Sequence, residues 1–200
     1  MGGSVLSRRL SELAGVVFFG AALVWLVALA SYAPSDPVWF FSTGVDGPPA
    51  NLAGRVGAFL AELSFQLLGY AAYLLPAALA VLGWQYFWCV RVEAPYSKLV
   101  GAGIVFGSVA AFLGLALDPL GRGTRPFRAG GYAGAWLAAV LTEYFNRTGA
   151  IILILTLLCL GVVLATHFSL GRAAAAAARW SHDRMAAALG ALRARLQERR

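Results

Sequence analysis

The sequence predicts an all-α, polytopic membrane protein: four transmembrane helices with interfacial amphipathic helices between them, and both termini cytoplasmic. Three observations carry that prediction. Of the 200 residues, 60% are hydrophobic and 12% charged, too little polar side chain to cover a soluble globule of this size. Four runs, 13–30, 67–89, 99–117 and 149–166, contain no Asp, Glu, Lys, Arg or His, and as helices each reaches about 27 Å or more, close to the thickness of a hydrocarbon core. With four spans and the N-terminus inside, eleven Arg and Lys fall on cytoplasmic segments and five on outer ones. That asymmetry is the one that orients membrane helices.

Taken in order, residues 1–12 are short and basic, and the run 13–30 is the first span. Residues 31–39 follow, with Pro34 and Pro37 imposing extended or turn geometry and Asp36 suited to closing an Asx-type turn. A Gly- and Pro-containing loop over 40–50 lies on the outer face. Over 51–66 the periodicity is helical, with Val56, Phe59, Leu60, Leu63 and Leu67 on one side and Arg55, Glu62 and Gln66 on the other, the pattern of an amphipathic shelf. The second span, 67–89, has Pro76 in its middle, where a missing amide and a ring clash predict a bend. Trp84, Tyr86, Phe87 and Trp88 close it as an interfacial aromatic cluster.

Residues 91–98 form a tight inner turn. The third span, 99–117, is rich in small residues: Gly103 and Gly107 make a GxxxG pair, and Ala110 and Gly114 a second small pair, on a face expected to pack inside the bundle. Asp118-Pro119 is expected to end it, before a Gly- and Arg-rich outer loop. Across 132–145 the spacing of Val140, Leu141 and Tyr144 predicts another helix on the outer interface. The fourth span, 149–166, leads into a basic tail. The domain reading is a four-helix membrane domain over 1–170, then a basic amphipathic juxtamembrane helix, or the start of a linker, over 171–200.

Several chemistries are disfavoured by the residues themselves. Pumps place acids, bases or broken helices at the membrane midplane, and these span interiors carry no ionisable group. A small transporter or channel-like subunit is therefore the alternative reading and not the leading one. Cys89 and Cys159 have neither a CxxC partner nor a nearby His, so no metal site is expected. The single lysine, Lys98, sits in Ala-Pro-Tyr-Ser-Lys, outside any phosphate-binding Gly-x-x-x-x-Gly-Lys loop. No catalytic or cofactor-binding residue is predicted. The formal charge of +7 suits anionic headgroups beside the membrane.

One combination of landmarks is more specific. Ser31-Tyr32-x-Pro34-x-Asp36-Pro37-x-Trp39 follows the first span, then come Asn51-x-x-Gly54-x-x-Gly57-Ala58, Gly69-x-x-Ala72-Tyr73-x-x-Pro76, and Gly130-Gly131-x-x-Gly134, with Gly149 opening the last span. In order and spacing these resemble the N-terminal four-helix membrane domain of the FtsK/SpoIIIE family of DNA translocases, over about residues 10–170. The resemblance implies a multi-pass anchor in the bacterial inner membrane at the division septum, serving cell division and chromosome partition. It implies as partners the lipid bilayer and septal membrane proteins, and a homo-oligomer formed through a motor outside these residues. ATP and magnesium are expected only in that motor, and no direct DNA contact is expected here. The candidate structural or partner-facing residues are Tyr32, Pro34, Asp36, Pro37, Trp39, Asn51, Gly54, Gly57, Pro76, Gly130, Gly131 and Gly134.

Overall fold

A computed structural model describes residues 5–38, 48–89, 95–121 and 126–166. Trp39 and the tail over 171–200 lie outside the described residues. The elements are α1 (Val5–Ala30), α2 (Gly54–Leu68), a 3-10 segment (Gly69–Tyr73), α3 (Leu74–Phe87), α4 (Pro95–Gly121) and α5 (Gly131–Ala165). No strand occurs among the described residues, and four stretches are long and apolar enough to cross a membrane: Arg8–Ala30, Gly54–Phe87, Pro95–Asp118 and Gly131–Ala165. The four expected spans fall inside these stretches except at their ends, where Trp88 and Cys89 lie just past α3 and Thr166 just past α5.

Two of the stretches are too long for a single crossing. A helix of 34 or 35 residues would run about 50 Å against a core of about 30 Å. Each is broken by a residue in the left-handed region: Gly69 at φ 58 and Asn146 at φ 57. Before each break lies a fifteen-residue shelf, α2 or residues 131–145, and after it comes the crossing segment proper. The contacts described between α2 and the first span fall on residues 25–30 of α1 and the turn just after it: Ala28 against Gly57, the Trp25 indole donating to Ser64 Oγ at 3.1 Å, and the Tyr32 hydroxyl donating to Glu62 at 2.6 Å. So α2 lies across the end of α1, whereas α3 runs back antiparallel beside it, with Tyr73 at Leu29 and the Ser11 hydroxyl donating to the Tyr86 carbonyl.

Pro76 does not bend the second span. It is the third residue of α3, a first-turn position where an amide has no intrahelical acceptor. The Leu74 amide is shared between the Ala71 carbonyl and that of Ala72, four residues before Pro76, and the bend is made at Gly69. Asp118-Pro119 likewise does not end the third helix, which continues to Gly121. Pro119 offers no amide to the Leu115 carbonyl, and Arg147 Nη2 donates to that oxygen at 3.3 Å. Lys98 belongs to α4 and not to a turn, because Pro95 at the helix start is preset for the first turn.

Of the two small pairs of α4 expected to pack, Ala110 and Gly114 do so and Gly103 with Gly107 does not. A Cβ on Gly103 would meet nothing within 4 Å, and one on Gly107 only Leu137 at 3.7 Å. The close approaches are at Gly101, against Gly161 and Leu164–Ala165, and at Ala110 and Gly114, against Gly130 and Gly134. Gly103 is four residues from Gly107, as the motif requires, but Gly103 faces open space and Gly107 meets α5 only at the end of the Leu137 side chain. On α2, the buried sector is Gly57, Ala58, Ala61, Ser64 and Phe65, while Val56, Leu63 and Leu67 are exposed. The shelf therefore has three sides: small residues to the bundle, a polar row, and an apolar row left for lipid.

The two halves of the chain repeat one plan. Gly54-x-x-Gly57-Ala58-Phe59-Leu60-Ala61 in the first shelf is matched by Gly131-x-x-Gly134-Ala135-Trp136-Leu137-Ala138 in the second. Each shelf starts on a positive-φ glycine, Gly54 at φ 68 and Gly131 at φ 65, and each breaks fifteen residues later, at Gly69 and Asn146. An Asp-Pro pair stands before each. The Asp36 carboxylate accepts the amides of Ala50 and Asn51 at 2.7 and 3.0 Å, and that of Asp118 accepts Ala129 at 2.7 Å. Thus a helical crossing, an Asp-closed loop, a shelf and a return crossing occur twice. Within each half the crossings pair closely, and the halves meet at the shelf end of the bundle.

Candidate functional site

The predicted residues converge at that shelf end. Asp36 is buried, 5% exposed, because both carboxylate oxygens are consumed by the loop amides just named. Asn51, 4% exposed, is fixed from three sides. Its Nδ2 donates to the carbonyls of Ala28 at 2.8 Å and Ser31 at 3.2 Å, and its Oδ1 accepts the Ala53 amide at 3.0 Å. The carbonyls of Ala28 and Ser31 belong to the end of α1, where the last turn has no amides left to bond them. Ser31 closes the ring, accepting the Leu52 amide at 3.0 Å while donating to Val27 at 2.7 Å. A polar latch therefore ties the end of the first span to the start of the first shelf.

Gly57 packs into this latch, and a Cβ there would collide with Ala53 and Asn51 Oδ1. Beside the latch, Tyr32, Phe65, Tyr70, Tyr73 and Phe127 form an aromatic cluster whose tightest pair is Phe65 and Phe127, stacked with centroids 4.4 Å apart. Glu62 accepts hydrogen bonds from Tyr32 and Gln66. Burial first, then the hydrogen bond and charge of Glu62, push the Tyr32 phenol well above its ordinary value.

Gly131 and Gly134 lie on the other side of the same end. Gly131 packs on the Leu67–Leu68 backbone, and Gly130 and Gly134 pack on Ala110. Pro34 is exposed and Pro37 half-buried, and no contact described ties either to the latch. Pro76 is buried in α3, apart from it. Residues not among the candidates do as much work: Ser31, Gly69 and Glu62, which the sequence reading placed in its motifs or on the shelf without singling them out, and Phe127 and Ala129, which it did not name. Glu62 had a visible signal, the one acid on the shelf's polar row. Phe127 had none, since one aromatic in a Gly- and Arg-rich loop does not announce its partner.

At this end, the polar side chains of the described residues serve to fix backbone. Among the described residues no group of three or more His, Cys, Asp and Glu is placed to hold a metal ion. The carboxylates of Asp36 and Asp118 are bonded to backbone amides, an arrangement that fixes loops and leaves the described groups engaged.

Comparison with known proteins agrees with this picture. Residues 7–179 match the family described as the 4TM region of DNA translocase FtsK/SpoIIIE. The chain is 32% identical over 168 residues to the DNA translocase FtsK of Pseudomonas syringae pv. syringae, covering 82% of this chain and 21% of that protein. It is 34% identical over 170 residues to that of Pseudomonas syringae pv. tomato, with the same coverage. With the DNA translocase FtsK of Azospirillum brasilense it shares 37% identity over 147 residues, 70% of this chain and 22% of the relative. The chain thus spans about a fifth of the length of these relatives, and the match is to their membrane region, with the motor outside it. No solved structure matches. With its four crossings and nearly its whole described length inside the match, the chain belongs to the family of the 4TM region of DNA translocase FtsK/SpoIIIE.

Proposed function

We propose that this membrane domain is the noncatalytic anchor and septum-assembly region of a cell-division DNA translocase that serves chromosome segregation. It sits in the bacterial cytoplasmic membrane with both ends inside and the shelf end outward. The observation that carries this reading is the shelf end itself, where buried polar side chains serve to fix the backbone of two loops. Such preorganisation lowers the ordering cost of presenting a surface to a partner. The excess of Arg and Lys on the segments assigned to the inside supports the orientation.

The experiment is a fluorescent fusion expressed in dividing cells that lack the native protein. The unaltered domain marks the septum. A double variant, Asp36→Asn with Asn51→Ala, remains in the membrane at comparable abundance but spreads evenly around the cell. If that variant, shown by proteolysis to have lost its latch, still concentrates at the septum, the shelf end is not what assembles there.

A further inference from the structure

The two shelves follow one plan and differ in what they leave bare. The row left uncovered along the first is aliphatic: Leu52 just before α2, then Val56, Leu63 and Leu67. Residues 131–145 instead leave Tyr132, Trp136 and Tyr144 bare, at 60%, 68% and 77% exposure. Aliphatic side chains gain most in hydrocarbon, whereas the amphipathic rings of Tyr and Trp settle at the level of the headgroups. Basic side chains flank the aromatic row. Arg128 stands three residues before Gly131 and Arg147 two residues after Phe145, and both are exposed.

Contacts bring both arginines to the shelf end of α4. The Arg147 guanidinium reaches the Leu115 carbonyl. One turn further along α4, the Asp118 carboxylate holds the amide of Ala129, the residue after Arg128. Each side chain is positioned without being used up. Arg147 spends one N–H on Leu115, and Arg128 lies over the Tyr132 ring, 5.5 Å from its centroid, so both guanidinium groups keep donors to spare. Neither pairs with Asp118, Glu143 or any other carboxylate among the described residues, where the ion pair is Arg8 with Glu12, near the start of α1. In the orientation proposed above these charges lie on the outer side, where basic residues work against the rule that orients the spans.

We infer that the second shelf is a selective seat for anionic phospholipids of the outer leaflet: Arg128 and Arg147 attract the headgroup phosphates around the end of α4, and Tyr132 and Trp136 lie at the depth of those headgroups. Charge complementarity and the interfacial depth of the rings both point to lipid as the occupant. The first shelf, aliphatic on its bare row, takes acyl chains of either kind of lipid. Only the naming of the leaflet rests on the proposed orientation; the headgroup preference is independent of it and of septal placement.

Quenching of tryptophan fluorescence by brominated lipid reads the seat locally. The full chain is reconstituted in mixed vesicles of phosphatidylglycerol and phosphatidylcholine, one or the other brominated along its acyl chains. The part of the signal that Trp136→Phe removes is that of Trp136. Phosphatidylglycerol should be favoured around Trp136 by about fivefold for each arginine at low salt, and by less at high salt. Arg128→Gln with Arg147→Gln should bring the preference close to one. Arg9→Gln with Arg55→Gln, which removes as much charge elsewhere, should leave it unchanged. Arg128→Lys with Arg147→Lys should keep most of it, because the charge is what the headgroup reads. No preference in the unaltered chain, an equal fall in the Arg9 and Arg55 pair, or a preference that survives the double glutamine variant at Arg128 and Arg147 would overturn the assignment. Loss in the lysine pair as well would do so too, by showing that the arginines act through the shape of the shelf. So would loss of the preference on adding inorganic phosphate at constant ionic strength, since the site would then be one for a free anion.

Discussion

Single side chains at the shelf end act as backbone acceptors and donors, so their substitutions should be read as loss of buried hydrogen bonds. Replacing Asp36 by Asn sets an amide NH2 against one of two amide donors, leaving buried groups unpaired, at a cost of about 1–3 kcal/mol. Thermal unfolding in detergent should show a lower midpoint for Asp36→Asn than for Glu143→Gln, whose carboxylate is exposed. Tyr32 gives a pH signature. The fold favours its neutral phenol, so its folded pKa lies above the ordinary value of 10.0. Its contribution is complete below that value and is lost as pH rises beyond it. Comparison of stability at about pH 8 and about pH 11 should show a smaller loss in Tyr32→Phe than in the unaltered chain; an equal loss would remove Tyr32 as the cause.

At the scale of elements, the breaks decide where each helix crosses. Gly69 combines φ 58 with a backbone neighbour in the space a Cβ would fill. Gly69→Ala is therefore expected to cost more than the roughly 1–3 kcal/mol of strained backbone alone, and Pro76→Ala less, because Pro76 occupies a first turn. The reversed order of unfolding midpoints would restore Pro76 as the bend. The helix pair α4 and α5 gives a cleaner contrast. Gly103→Leu should leave stability unchanged within error, since open space surrounds it, whereas Gly101→Leu and Gly134→Leu should separate the helices, since backbone lies where the side chain would go. Equal losses at all three would show that the GxxxG diagonal packs after all.

For the whole molecule, cohesion between the halves is concentrated where the shelves meet. Phe65 stacks on Phe127, Tyr70 bonds Ala129, and Gly69 faces Gly131. A chain severed between residues 90 and 94 and expressed as two pieces should copurify as a complex, each piece being a closed hairpin of its own. Phe127→Ala in the second piece should weaken that complex without dispersing either hairpin from the membrane. Recovery of an undiminished complex would show that contacts elsewhere hold the halves together.

Span number and the amphipathic character of the shelves were determined by the sequence itself, while Asp36 was marked by its place between two prolines and Asn51 by the family resemblance. Hydropathy acts on a segment through its solvent, lipid or water, and so leaves a local signature, whereas the Asx-type turn expected at Asp36 gave way to a longer closure, its carboxylate holding the amides of Ala50 and Asn51. The tertiary structure decided which glycines touch, that Gly69 and not Pro76 makes the bend, that Arg147 answers the carbonyl freed by Pro119, and that Phe127 caps the first shelf. Those outcomes depend on what lies across a gap of tens of residues. A small residue or a freed carbonyl announces only that something must approach it, and the packing of the helices selects what does.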